Sequence, residues 1–178
     1  GKVTFMILLN DTIRLRKANS SDKDQLFILK NNAKVASLLG GFNTFYSIED
    51  ISKWIDYHNS KLDEVLFLIE DIENQHIVGH VGLYNIDYRI RKCEYAIMIA
   101  DEKYQGRGVG QLCTEAMISF ARDQLNVQKI TLSLLSTNKT ALSLYIKNGF
   151  VQEGLLKREQ YKDGKYQDVI LMAKFFEI

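Results

Sequence analysis

YQGRGVG, Tyr104 to Gly110, sets three glycines and one arginine in a single short turn. Turns of this kind commonly hold a phosphate, because missing side chains let an anion approach the backbone. The residues that follow supply the means. Val109, Leu112, Cys113, Ala116, Met117, Phe120 and Ala121 recur at helical spacing, so the turn opens an amphipathic helix. The first N–H groups of a helix have no internal partner, and the macrodipole is positive there. One reading is therefore a pyrophosphate seated on this helix start. Gly106, Gly108 and Gly110 would clear its approach and Arg107 would add a charge-assisted contact. A P-loop is excluded, since no GxxxxGK followed by Ser or Thr exists. A Rossmann fingerprint fails at its third position, which is Gln111, and DEKYQ separates the turn from the preceding strand. On the turn alone, a solvated surface loop stays open.

Working outward, residues 13–18 alternate as a first strand. Ser20 or Ser21 offers a cap for a helix bearing Leu26, Phe27 and Ala33, which GGFN at 40–43 breaks. Ser47 and Asp50 form a variant capping box before a helix that buries Ile48, Ile51 and Ile55. Strands are expected at 65–72, 76–87, 92–100 and 129–135, and a short helix over 138–147 closes on Asn148-Gly149. Two more strands follow from Phe150, turned by Asp163-Gly164. The alternation at 92–100 puts Glu94, Ala96, Met98 and Ala100 on one face, and Cys93, Tyr95, Ile97 and Ile99 on the other. No linker, repeat or low-complexity segment interrupts the pattern. It predicts one mixed α/β (α+β) domain over residues 1–178, with residues 1–6 disordered or foreign to the native start.

Composition narrows the function. With 23 basic and 22 acidic residues, the chain lacks the basic footprint of a nucleic-acid or membrane-surface binder. No apolar run approaches the ~20 residues that span a bilayer, and the start lacks the pattern of a signal peptide. A cytoplasmic protein is expected. Cys93 and Cys113 match no metal or redox spacing and read as reduced core residues. His76 and His80 stand four apart on a strand, so no metal is expected.

A second block, NKTALSLYIKNGF at 138–150, follows the glycine turn by a helix and a strand. Together the two blocks resemble the Gcn5-related N-acetyltransferase (GNAT) superfamily. Its acetyl-CoA signature, Gln/Arg-x-x-Gly-x-Gly/Ala, is matched at Gln105, Gly108 and Gly110. Its later pattern is matched at Asn138, Ala141, Leu144, Tyr145, Gly149 and Phe150. IRLRKANSSD and GLLKREQYKDGKYQDVILM are similar to the branch of ribosomal-protein-alanine, polyamine and amino-sugar acetyltransferases.

The resemblance implies a twisted mixed sheet of seven strands with about four helices, splayed between the fourth and fifth strands, at 92–100 and 129–135. Acetyl-CoA would insert in the gap as co-substrate. The backbone of Met98, Ile99 and Ala100 would pair with its pantetheine arm. Gln105, Gly106, Arg107, Gly108, Val109, Gly110 and Gln111 would hold the pyrophosphate, with Asn138, Ala141 and Tyr145 as further cofactor contacts.

Acetyl transfer to an amine needs a neutral amine, a donor for the oxyanion and a proton for the leaving thiolate. A main-chain N–H of the splayed strand is the candidate oxyanion donor. Tyr145 is the candidate acid, since a phenol of pKa ~10 keeps its proton at neutral pH; a plain core tyrosine is the competing reading. Some relatives place a glutamate twelve residues before that tyrosine, but here the position is Ser133. Glu94 becomes the candidate base, acting through water, against the alternative of a surface carboxylate.

For the acceptor, SLLGGFNTFYS at 37–47 carries no carboxylate, which argues against spermidine. Phe42, Asn43, Phe45 and Tyr46 could stack on a sugar ring or seat a peptide terminus, or plug the core. A nucleotide-linked amino sugar is the first acceptor reading, with a protein N-terminus or a polyamine as alternatives. Direct transfer in a ternary complex is expected, by a chain that could form a homodimer. A GNAT-fold sensor that binds acyl-CoA without turnover is the non-enzyme alternative.

Overall fold

The structure, a computed structural model, describes residues 6–34, 45–106 and 108–177. One sheet runs through them in the order β1-β2-β3-β4-β5-β6-β8-β7. Its strands are β1 (Met6–Leu8), β2 (Ile13–Arg16), β3 (Val65–Asp71), β4 (His76–Asp87), β5 (Lys92–Ile99), β6 (Lys129–Leu135), β7 (Val151–Lys162) and β8 (Lys165–Phe175). The helices are α1 (Lys23–Lys30), α2 (Ile48–Ser60), α3 (Val109–Asp123) and α4 (Lys139–Lys147). Only β5 and β6 pair in parallel; all the other neighbours are antiparallel.

The sheet has eight strands, where seven were expected. The added strand, β1, begins at Met6, within the segment expected to be disordered or foreign to the native start. A hairpin ties it to β2 through Ile7↔Leu15. The Asn10 side chain accepts from the Thr12 and Ile13 amides and fixes the turn.

Local chemistry sets the element ends. Ser47 and Asp50 exchange side-chain-to-backbone bonds at the start of α2, as their spacing predicted. Before α1 the same box is made by Asn19 and Asp22, not by Ser20 or Ser21. Asp163 and Gly164 take φ of 51° and 77°, the left-handed pair that a two-residue hairpin needs.

Strand alternation then divides two cores. Cys93 and Tyr95 pack on one face with Cys113, Met117 and Ala121 of α3, while Met98 and Ala100 pack on the other with Leu26, Leu29, Ile51 and Ile55. Met117 is fully buried, and its truncation to Ala would cost about 2–5 kcal/mol.

Candidate active site

The parallel contact between β5 and β6 is short. It covers Lys92↔Lys129, Cys93↔Ile130 and Glu94↔Thr131, then ends, although β5 runs on to Ile99 and β6 to Leu135. Beyond Glu94 the strands part around a cleft of about 740 Å³. Tyr95, Ala96 and Ile97 line one wall, Leu132 to Leu135 the other, and Asn138, Ala141 and Tyr145 of the α4 segment face in.

The ladder on the far side of β5 shows which groups meet this cleft. The Ala100 N–H donates to the Val78 carbonyl. Because hydrogen-bonded pairs recur every second residue in an antiparallel ladder, Met98 and Glu94 also turn their main-chain groups to β4. The main chain of Tyr95, Ile97 and Ile99 faces the gap. Of the three backbone positions expected there, Ile99 alone is so presented, Ile97 joins it, and Met98 and Ala100 contribute to β4. The Ile99 carbonyl already accepts from the Gln105 side chain at 3.0 Å, which fastens the glycine turn to the strand end.

The turn has the conformation its glycines allow. Gly106 and Gly108 take φ of 76° and 79°, with open space where a side chain would project. Gly108 caps α3 with no side-chain bond, and the first turn of the helix contains no acidic residue. The Leu112 amide reaches the Gly108 carbonyl, so the Val109, Gly110 and Gln111 amides precede the helical ladder and point out of the helix end. Two anchors hold the approach to the turn: His76 Nε2 lies 2.8 Å from Asp101 Oδ2, and the Tyr104 hydroxyl donates to Asp71. The Gln111 side chain bonds Glu115 and Asn148. Arg107 lies outside the described residues.

Tyr145 is held at both ends of α4. Asn138 caps the helix by accepting from the Ala141 amide at 3.1 Å, so its side chain positions α4 as well as lining the cleft. At the other end the Phe150 N–H reaches the Tyr145 carbonyl and the Gly149 N–H reaches that of Ile146, with Gly149 at φ 88°. That is a Schellman closure, and Phe150 packs its ring 5.7 Å from that of Tyr145. Tyr95 stands edge-on to Tyr145 at 6.2 Å and is tied to α3 through Thr114. Burial pushes the Tyr145 phenol up to about 12. The same surroundings push the Cys93 and Cys113 thiols up to about 12.

Glu94 is exposed at the mouth of the cleft, where it accepts from Asn85 Nδ2 at 3.1 Å. Its cross-strand neighbour is Tyr84, whose phenol is pushed well above the usual range by burial and by Glu64. Sequence reasoning passed over Tyr84 and Ile97, which only the register of β4 against β5 brings to the site. It also passed over Lys129 and Glu153, which pair at 3.0 Å across the cleft wall. Ser133 lines the cleft.

Among the expected acceptor residues, Phe42 and Asn43 lie outside the described residues. Phe45 is exposed, and Tyr46 packs with the α1–α2 core, its amide held by Asn31. Cys93 and Cys113 are buried and unpaired. Among the described residues, no group of His, Cys, Asp and Glu is arranged to hold a metal, and no helix is long and apolar enough to cross a membrane.

The sheet thus opens between parallel neighbours, with the amides after Gly108 at one end of the gap and the caged Tyr145 phenol beside it. Residues 12–151 match the model of the acetyltransferase (GNAT) domain, and the chain belongs to that family of N-acetyltransferases. It is 31% identical to spermidine N(1)-acetyltransferase of Vibrio cholerae over 94% of this chain and 97% of that protein. It is 29% identical to the Escherichia coli enzyme of the same name over 92% and 86%. The solved structure of the Vibrio cholerae spermidine N-acetyltransferase in complex with CoA and spermine superposes with a TM-score of 0.84. That match has 29% identity and covers 93% of this chain and 96% of the other.

Proposed function

We propose that the chain moves an acetyl group from acetyl-CoA to a small-molecule primary amine by direct attack in a ternary complex. The observation that carries this reading is the opening of β5 from β6 beside Tyr145. The residues fit the donor: the amides of Val109, Gly110 and Gln111 suit a pyrophosphate, and the open edge of β5 at Ile97 and the Ile99 N–H suits an amide-bearing arm. When bound, acetyl-CoA supplies the activated thioester.

Glu94, at the mouth, takes a proton from the incoming ammonium through water. A main-chain N–H on the open edge of β5 donates to the carbonyl oxygen as negative charge builds there. Tyr145 holds its proton across the neutral range and delivers it to the departing sulfur. Burial keeps the phenol protonated until it is needed, so it can serve as the acid at neutral pH.

Two acceptor classes fit a primary amine at Glu94. Full-length similarity to spermidine acetyltransferases favours a polyamine. The lack of carboxylates at 37–47 favours an amino sugar carrying phosphate. Thiol release from acetyl-CoA with polyamines, amino sugars and peptides tests the reaction. If CoA binds and no amine is turned over, the reading falls. Glu94→Gln should abolish the acidic limb of the kcat/KM profile; a limb retained at the same pH assigns the base elsewhere.

A further inference from the structure

The Tyr84 ring lies along β4 over Gly82, where an added side-chain carbon would stand 2.6 Å from its hydroxyl. That ring closes the face above β4, so an acceptor held at Glu94 extends the other way, over β6. An open floor meets it there. Lys129 and Thr131 are the register partners of Lys92 and Glu94. All four point away from the α3 core that takes Cys93 and Ile130. Ser133 continues the row and is exposed. Glu153, at the first bulge of β7, reaches the same floor, and one cavity is lined by these residues and by Tyr145.

The charges on this floor are unevenly engaged. Lys92 and Lys129 stand side by side on strands about 4.8 Å apart, and like charges so placed repel. Lys129 leans away, with Nζ 3.0 Å from Glu153 and 5.2 Å from the Phe175 ring centroid. Lys92 makes no salt bridge among the described residues. The Asp87 carboxylate, which it attracts across the β4 ladder, is bonded to the Arg89 and Ile90 amides. With Glu94 reserved for the reacting amine, two cations of the cavity lining face Glu153 alone.

We propose that Lys92 and Lys129 seat a phosphate borne on the acceptor, two residues along β5 from Glu94 and on the side away from the gap. This rests on the amine-acetylation reading of the cleft, and it makes the acceptor an amino sugar phosphate rather than a polyamine. The step from Glu94 to Lys92 is about 6.6 Å, within the span of a phosphorylated hexosamine. A dianion between two ammonium groups relieves their repulsion and is held by charge-assisted hydrogen bonds. The second ammonium of a polyamine meets both lysines instead, and must take Glu153 from Lys129.

The test compares glucosamine 6-phosphate, glucosamine and spermidine as acceptors for the wild type, Lys92→Gln, Lys129→Gln and Glu153→Gln. Steady-state kinetics are joined to calorimetric binding in the presence of CoA. The wild type should show a KM for glucosamine 6-phosphate at least tenfold below that for glucosamine. Each lysine variant should bring the two within threefold, acting on KM rather than on kcat. Glu153→Gln releases Lys129 and should lower KM for the phosphate ester relative to glucosamine, whereas damage to the fold would raise both. Equal KM values for the two sugars in the wild type, or a ratio that the lysine variants leave intact, overturn the proposal. Turnover of spermidine alone also overturns it, with the acetylation reading left standing. If no amine is turned over, that reading fails and binding decides. Affinity for glucosamine 6-phosphate that falls in both lysine variants upholds the seat; absent or unaltered binding overturns it.

Discussion

The side of the cleft proposed for the donor and the side proposed for the acceptor are built by different means. On the donor side the working groups are main chain, or side chains close to one another in sequence: the amides after Gly108, the cap at Asn138, the closure at Gly149. The proposed acceptor side rests on side chains such as Tyr84 and Glu94, which meet only when β4 pairs with β5. A seat made of backbone depends on a turn being able to form. One made of side chains can be rewritten by a single substitution without disturbing the fold. The donor should therefore be common to chains with this turn, and the acceptor particular to each.

Substitutions on the two sides should separate this difference. Tyr145→Phe removes the proposed acid and leaves the helix closures intact. It should lower kcat about 100-fold, while calorimetry finds acetyl-CoA affinity within twofold of wild type. An unchanged kcat would move the acid to another group.

On the face covered by α1 and α2, burial lowers the Lys30 ammonium to about 8. Between that value and the ~10.4 of a free lysine, the unfolded chain holds a proton the folded chain has released, so stability rises with pH there. Lys30→Met should stabilise the protein by on the order of 2 kcal/mol at pH 7, with the gain gone above pH ~10.4. Urea unfolding at both ends of that range reads the difference, and a gain independent of pH would mean that packing, not charge, is responsible.

Gly108→Ala forces a side chain onto a backbone at φ 79°, where nothing lies within 4 Å of the added carbon. The cost is therefore conformational, about 1 kcal/mol, and should raise KM for acetyl-CoA roughly fivefold with kcat little changed. Asn138→Ala removes only a cap and should cost about 1 kcal/mol. In a thermal scan that amounts to a fall of about 3 °C.

The same contrast explains what could be read from the amino acids. YQGRGVG and NKTALSLYIKNGF announce themselves because their physics is local: positive φ at glycine, a helix start, an asparagine cap, an Asn-Gly-Phe closure. The order of strands and helices followed from periodicity, and the capping box at Ser47 from spacing. β1 was missed because three residues of a short apolar segment carry no turn of their own beyond Asn10. Of Met98, Ile99 and Ala100, only Ile99 turns its main chain to the gap, since the side of β5 that meets β4 is set by register, which alternation alone does not reveal. Lys129 and Glu153, on separate strands, gave no sign of each other at all.

Three residue pairs of parallel ladder, ending at Glu94, leave the rest of β5 with one edge that no strand among the described residues covers. In this sense the polypeptide is a sheet built short by one strand, and the proposed donor would be the missing piece. Amide hydrogens of Ile97 and Ile99 should then exchange quickly in the free protein and slowly with acetyl-CoA present, so that protection spreads along β5 as though folding were being completed by a molecule that is not protein.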